Sequence, residues 1–421
     1  MAQVGNADGA SDLTLLKDEV GGLMGEYGIS TVTFFKGDMQ AAKTTLEAQL
    51  LLVVAQNPWV CGILAKGKDG TTCLRFPTTP TEADVKKMVK VVTKGEATKD
   101  QTVDMTMKYT DMCTKMHTPA CGSVVADGGT ILSKGSNATL FTLTEAADGE
   151  FSMVFSMTHA IADGRTYYEI LKMLTPGAAV VAMQSTRVQE FSEKMRDVCG
   201  RKELVWADSP GVQIMYTLAM MCGSAVKVYA FKLDEERLAQ AKAKGAAEDG
   251  VDYVSTNDIL TSAFFNETNS RIGMMGIDMR GKIDGVSSTS AGNYVSVLSM
   301  DPDTFGTPGA VRKMLSKTPY EPTKQPLPSL CRWCMGKDSA SFAMATNWSS
   351  FAGDLVQIEG CELLCHLPVH NPAYCAYDML VPFMYQPGKM GVVCWTTSSD
   401  EERLKAALPV GDRISDAMFP A

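Results

Sequence analysis

Four histidines occur in the 421 residues, and one stands where an imidazole could work as a base. The stretch MVFSMTHAIADGRTYYEIL, Met153 to Leu171, sets His159 between an alternating apolar run and a helix-like segment, with Asp163 four positions on and Gly164 next to it. Gly164 gives the backbone freedom to turn tightly into the following helix. A neutral imidazole titrates near working pH and can take a proton from a hydroxyl or an amine, provided that something fixes its orientation. A lone His at such a junction also serves as a cap or a filler of space, so residue type alone leaves both roles open.

The elements that must hold this residue can be read around it. ATLFTLTEAADGEFSMVFSMTHA alternates apolar and polar residues on both sides of Asp148-Gly149, which predicts a β-hairpin whose second strand delivers His159. GRTYYEILKML predicts a helix stopping before Pro176, and TVTFF (residues 31–35) predicts a strand followed by a helix that ends at Pro58. From about Thr175 to Cys222 the pattern loosens, with Gly200, Pro210 and Gly211 as punctuation, as a connection between domains would. Periodicity resumes with AVKVYAFKLDEERLAQAKAKGA, a strand and then a helix from near Asp234 to Gly245. STNDILTSAFFNETNSRIGMMGIDMRG predicts a capped helix leading into a strand; TPYEPTKQPLPSLC reads as a loop, and SFAMATNW and GVVCWTTS as strands. The organisation expected is a first domain over 1–195, a connecting segment over 196–222 and a second domain over 223–421, each a mixed α/β sheet with flanking helices.

Composition narrows the partners. At 45% hydrophobic and 21% charged, with net charge −9, the chain reads as a globular protein without the basic surface that nucleic acid or anionic membranes require. The N-terminus lacks a basic region followed by an apolar one, and no run is long enough to span a bilayer, so a cytoplasmic monomer acting on small molecules is expected. The twelve cysteines then read as buried thiols rather than disulfides, and the sequons at Asn137, Asn266 and Asn347 carry little weight. Gly276 to Lys282 has phosphate-loop spacing, but Ile283 stands where a Ser or Thr must hold magnesium. Cys331, Cys334, Cys361, Cys365, His366 and His370 are suitable zinc ligands, yet only one C-x-x-C occurs and no metal is expected. No Gly-x-Ser-x-Gly elbow is present. The 27 methionines read as filling for irregular core and a pliable apolar site.

HAIADG resembles the His-x-x-x-Asp-Gly signature of the chloramphenicol acetyltransferase-like superfamily, which takes in BAHD acyltransferases, alcohol acyltransferases and condensation domains of peptide synthetases. Further matches follow in order: YVSTNDILTSAFF resembles the Ser-Thr-x-Asp helix, IDMRGKIDGVSSTSAGNYVS the Asp-x-Arg strand and its downstream Gly-Asn, and TNWSSF (Thr346 to Phe351) the late Thr-Ser-Trp strand. The resemblance spans roughly residues 30 to 400. Two departures stand out: GDLVQIEG occupies the region of the BAHD Asp-Phe-Gly-Trp-Gly segment, and Thr158 precedes His159 where condensation domains carry a second histidine.

The resemblance implies two chloramphenicol acetyltransferase-like domains with a tunnel at their interface, and transfer of an acyl group from acyl-CoA to a hydroxyl or amine of a small-molecule acceptor, with no bound cofactor. Acyl-CoA would be a co-substrate in a ternary complex. His159 would be the general base, Asp163 would turn away from substrate to pair with Arg280, and Gly164 would complete the motif. Thr346 and Trp348 offer an O–H and an indole N–H to a tetrahedral oxyanion. Arg312, Lys313 and Lys317 are candidates for the phosphates of coenzyme A, against the alternative of a solvated helix face. A condensation-type enzyme drawing on a carrier-bound acyl group, or a binding protein on the same fold, are the rival expectations.

Overall fold

Thr139–Glu145 and Glu150–Met157 pair antiparallel, from Thr139 opposite Met157 to Glu145 opposite Phe151, forming the hairpin that their alternation predicts. Gly149 reverses the chain at φ +74°, a value that favours glycine. A computed structural model of the chain describes every residue except 1–3, 6–8, 96–97, 99, 148, 223–224, 322, 336–340, 352–354, 371–376 and 421. Asp148, the other turn residue, thus lies outside the described residues.

Alternation ordinarily marks a strand with one wet face, yet here both faces are covered. Thr142, Thr144, Ser152 and Ser156 are all fully buried. On one side Phe141, Phe151, Phe155 and Met157 pack on the helices Met39–Gln56 and Gly164–Met173. On the other, Val32, Phe34 and Val154 meet Val381, Phe383, Val393 and Trp395 of a second sheet. Two of these hydroxyls find partners: Ser156 Oγ is 2.7 Å from Ser30 Oγ and accepts from the Val125 amide, and Thr142 Oγ1 donates to the Ser123 carbonyl, whereas Thr144 Oγ1 and Ser152 Oγ are buried without a partner among the described residues.

The first sheet has five strands in the order Glu362–Pro368, Ile29–Lys36, Glu150–Met157, Thr139–Glu145, Val89–Val92. The second has seven: Val295–Met300, Ile272–Asp278, Phe342–Ala345, Asp378–Gln386, Lys389–Thr396, Lys227–Leu233, Val410–Arg413. Ile272–Asp278, Phe342–Ala345 and Asp378–Gln386 run parallel, and the remaining pairings of this sheet are antiparallel. Among the described residues a small four-stranded sheet near the N-terminus is the third. Glu362–Pro368 comes from the second half of the chain and pairs with Ile29–Lys36, so a cut between residues 195 and 223 does not by itself separate the two sheets.

The stretch from Thr175 to Cys222 holds helices at Phe191–Cys199, Arg201–Ala207 and Pro210–Cys222. Gly200 sits at φ +96° between the first two, Pro210 occupies the first position of the third, where its missing N–H costs nothing, and Gly211 lies inside that helix. One local expectation needs correction. The helix begun after Asp234 does not stop at Gly245 but runs to Asp249 and ends on Gly250 at φ +59°. Gly245 is a buried contact instead, since a Cβ there would stand 3.4 Å from both Pro308 and Val254. Thr256–Glu267 carries the capping box expected of it, built from Ser255 and Asp258. Among the described residues no helix is long and apolar enough to cross a membrane.

Candidate active site

The hairpin ends by extending itself one residue: the Thr158 amide donates to the Ala138 carbonyl, and the Ile161 amide returns to the Thr158 carbonyl. His159 sits in this turn, half-buried. Its Nδ1 is 3.0 Å from Asn293 Oδ1, and Nε2 has no hydrogen-bond partner among the described residues.

Asp163 ends the loop and starts the helix Gly164–Met173, accepting from the Thr166 amide at 2.8 Å as its N-cap. It also accepts from the Tyr294 amide at 2.9 Å and from Arg280 Nη1 and Nη2 at 2.8 and 3.1 Å. Burial works to raise this carboxyl's pKa, and the Arg280 guanidinium with the two amides outweighs it, so the group lies below the ordinary carboxylate value. Arg280 spends its remaining donors on the carbonyls of Ser290 and Gly292, on Thr166 Oγ1 and on Asp278. Asp278 in turn takes Arg165 at 3.0 Å. The Asp163–Arg280 pair therefore welds the histidine loop, the first turn of its helix and the Ser290 to Tyr294 segment into one unit, with the carboxylate turned into that unit.

Gly164 faces Trp348: a Cβ on it would stand 3.9 Å from the indole Nε1. Trp348 is anchored by its own amide on the Pro382 carbonyl and packs edge-on against Tyr168 at 6.0 Å. Thr346 follows the strand Phe342–Ala345, and its Oγ1 lies over Gly276, where a Cβ would meet it at 3.4 Å. Residues 276 and 278 share a face of their strand, so the Thr346 hydroxyl lies on the side that carries Asp278. His159, Asp163, Gly164, Arg280 and Trp348 are thus one group, with Thr346 on the adjoining strand.

Arg312, Lys313 and Lys317 are a different matter. Arg312 is held by the buried Asp258 and by the ring of Tyr253 at 4.6 Å. Lys313 donates to the Asp249 carbonyl and Lys317 pairs with Glu321. No hydrogen bond or ion pair among the described residues joins them to the His159 group.

Sequence reasoning passed over Glu19 and Arg187. Their side chains are 0% exposed and ion-paired at 2.9 Å, and Glu19 also receives the Asn293 amide and Nδ2, each at 3.0 Å. Arg187 donates to the carbonyls of Ser185, Ala291 and Ile161, the last within the histidine loop. Gly292 permits this: at φ +132° it lies against Arg187, whose Cζ would be 2.7 Å from a Cβ there. Asn293 itself had a sequence signal in the Gly-Asn match; Glu19 and Arg187 had none.

The zinc candidates are dispersed. Cys331 and Cys334 are exposed, Cys365 is a buried thiol pushed up to about 12, and His370 packs on Trp395 at 5.5 Å. His366 has both ring nitrogens occupied, Nδ1 by Thr33 Oγ1 at 2.8 Å and Nε2 by Tyr168 Oη at 3.2 Å. Among the described residues no three potential ligands gather in a metal-binding group. Two surface pockets, one bordered by Lys232, Glu401 and Arg413 and one by Thr175, Ile358 and Cys361, lie outside the His159 group, and the expected interface tunnel corresponds to neither.

No family model and no curated protein sequence matches the chain. Solved structures do. TRI101 of F. graminearum, complexed with coenzyme A and deoxynivalenol, is 15% identical over 94% of this chain and 97% of its own, with a TM-score of 0.57. Vinorine synthase is 13% identical over 96% and 94%, with a TM-score of 0.56. The first condensation domain of the CDA synthetase is 11% identical over 94% and 93%, with a TM-score of 0.54. Together with the mixed sheets, these full-length matches identify the fold as the two-domain chloramphenicol acetyltransferase-like one.

Proposed function

We propose that the protein is an acyltransferase that moves an acyl group from a coenzyme A thioester to a hydroxyl or amine of a small molecule, with His159 as general base. The observation that carries this reading is the state of the His159 ring: one nitrogen is held by Asn293, and the other, Nε2, is left without a partner among the described residues. Nε2 takes the acceptor's proton as the acceptor heteroatom attacks the thioester carbonyl, giving a tetrahedral oxyanion. The oxyanion collapses, the C–S bond breaks, and the imidazolium returns its proton to the departing thiolate. Trp348 Nε1–H or Thr346 Oγ1–H donates to the oxyanion. Asp163 takes no part in proton transfer, because each of its contacts is already a donor within the scaffold.

Thiol release from a panel of acyl-CoA donors, each with mixed alcohol and amine acceptors, tests the reading. Acceptor-dependent release of free coenzyme A supports it. Acyl-CoA that stays inert while a carrier-bound acyl group is consumed would replace it with the condensation-type reaction.

A further inference from the structure

Asn293 has two hydrogen-bonding ends, and its surroundings admit one arrangement of them. Its Nδ2 lies 3.0 Å from Glu19 Oε1 and 2.8 Å from the His159 carbonyl oxygen. Both partners can only accept, so that end of the amide must be the NH2. The other end, 3.0 Å from His159 Nδ1, is then the carbonyl oxygen, and an acceptor there requires the proton to be on Nδ1.

Glu19 cannot turn away to relax this. Oε1 accepts from the Asn293 amide and Arg187 Nε, and Oε2 from the Leu16 amide at 2.8 Å and Arg187 Nε at 2.9 Å. With every neighbour a donor, and both side chains of the ion pair fully buried, the carboxylate is an acceptor fixed in place.

We propose that Glu19 and Asn293 are positioning residues that fix His159 as its Nδ1–H tautomer, Glu19 acting through Asn293. A free imidazole side chain favours the opposite tautomer, Nε2–H, in which the outward nitrogen has no lone pair to offer. The Glu19–Asn293 relay reverses that preference and keeps the lone pair on Nε2. The proposal rests on the reading of His159 as a base for its purpose, though not for its detection.

With four histidines in the chain, the imidazole 15N–1H correlation spectrum of the full-length labelled protein can be assigned, His159 by difference with His159→Gln. Recorded at about pH 8.5, above the ordinary imidazole range, it is expected to show His159 protonated at Nδ1 and unprotonated at Nε2. Asn293→Leu is expected to shift the ring toward Nε2–H and to lower kcat by about 10²-fold with KM nearly unchanged. Glu19→Gln, which sets a second amide against Asn293, is expected to give a mixture of tautomers. Because Glu19→Gln also strands Arg187 and can fail to fold, the native spectrum and Asn293→Leu decide the matter. An Nε2–H ring in the native protein, or an unchanged Nδ1–H ring in Asn293→Leu, overturns the proposal. A native Nδ1–H ring that Asn293→Leu shifts, in a protein that transfers no acyl group, upholds it and removes the acyltransferase reading instead.

Discussion

Asp163 Oδ2 lies 2.8 Å from Arg280 Nη1, and the two side chains are 3% and 2% exposed. The aspartate that follows the histidine in sequence is therefore spent on scaffold, 117 residues away from its partner. Removing one side of a buried pair leaves the other charged and unmatched, which costs more than the pair contributes.

Asp163→Asn keeps the shape and removes the charge, leaving Arg280 with Asp278 alone. We expect a loss of about 3–5 kcal/mol in stability by chemical denaturation. A loss in the range of an exposed pair, about 0–1 kcal/mol, would contradict the arrangement.

His159→Ala is expected to leave the fold and the denaturation midpoint close to those of the native chain, because the half-buried ring makes a single side-chain hydrogen bond among the described residues. Acyl transfer should fall by roughly 10²–10⁴-fold. Near-native turnover in the folded variant would remove His159 from the reaction.

How much of this was legible in the sequence depended on how local the cause was. The hairpin that carries His159, the cap at Ser255 and the start of the helix after Asp234 are set by residues within a few positions of one another, and the sequence displays them. The Asp163–Arg280 pair spans 117 residues and was reached only through a family resemblance. Glu19 meets Arg187 across 168 residues and Asn293 across 274, with no periodicity or motif to mark Glu19 or Arg187. The crossing of Glu362–Pro368 into the first sheet was invisible for the same reason, since strand pairing is a tertiary choice. The pairing of Arg312 with Asp258, at the first turn of Thr256–Glu267 and 54 residues away, had no sequence signal either.

Trp348→Phe keeps the ring packing against Tyr168 and removes the indole N–H, while Thr346→Val removes only a hydroxyl. Whichever group donates to the oxyanion should lose about 10²–10³-fold in kcat when its proton is removed, with little change in KM, because the contact strengthens in the transition state. The other substitution should cost far less. Equal and small effects from both would assign the oxyanion to some other donor.

With His370 and His117, His366 is one of three histidines whose pKa burial lowers. Burial lowers its pKa from 6.5 to about 3, and its ring is closed in by Thr33 and Tyr168. Between those two values the unfolded chain holds a proton that the folded chain refuses, so stability rises with pH there by about 1.4 kcal/mol per unit. The contribution is complete above 6.5 and drains away as the pH falls toward 3. Asp163 works in a lower window: its pKa is depressed below 3.8, so its contribution is intact down to that value and is lost only as the pH falls on through the folded pKa. Between pH 7 and about 4.5 the two are separable, and comparing native with variant protein isolates the contribution of His366. His366→Gln removes the titration while offering an amide to two hydroxyls that can each donate or accept. The fall in stability from pH 7 to about 4.5, measured by denaturation at each pH, should be smaller in this variant by roughly 2–3 kcal/mol. A variant whose pH dependence parallels that of the native chain would mean that His366 takes up its proton in the fold as readily as in the unfolded chain, against the burial argument.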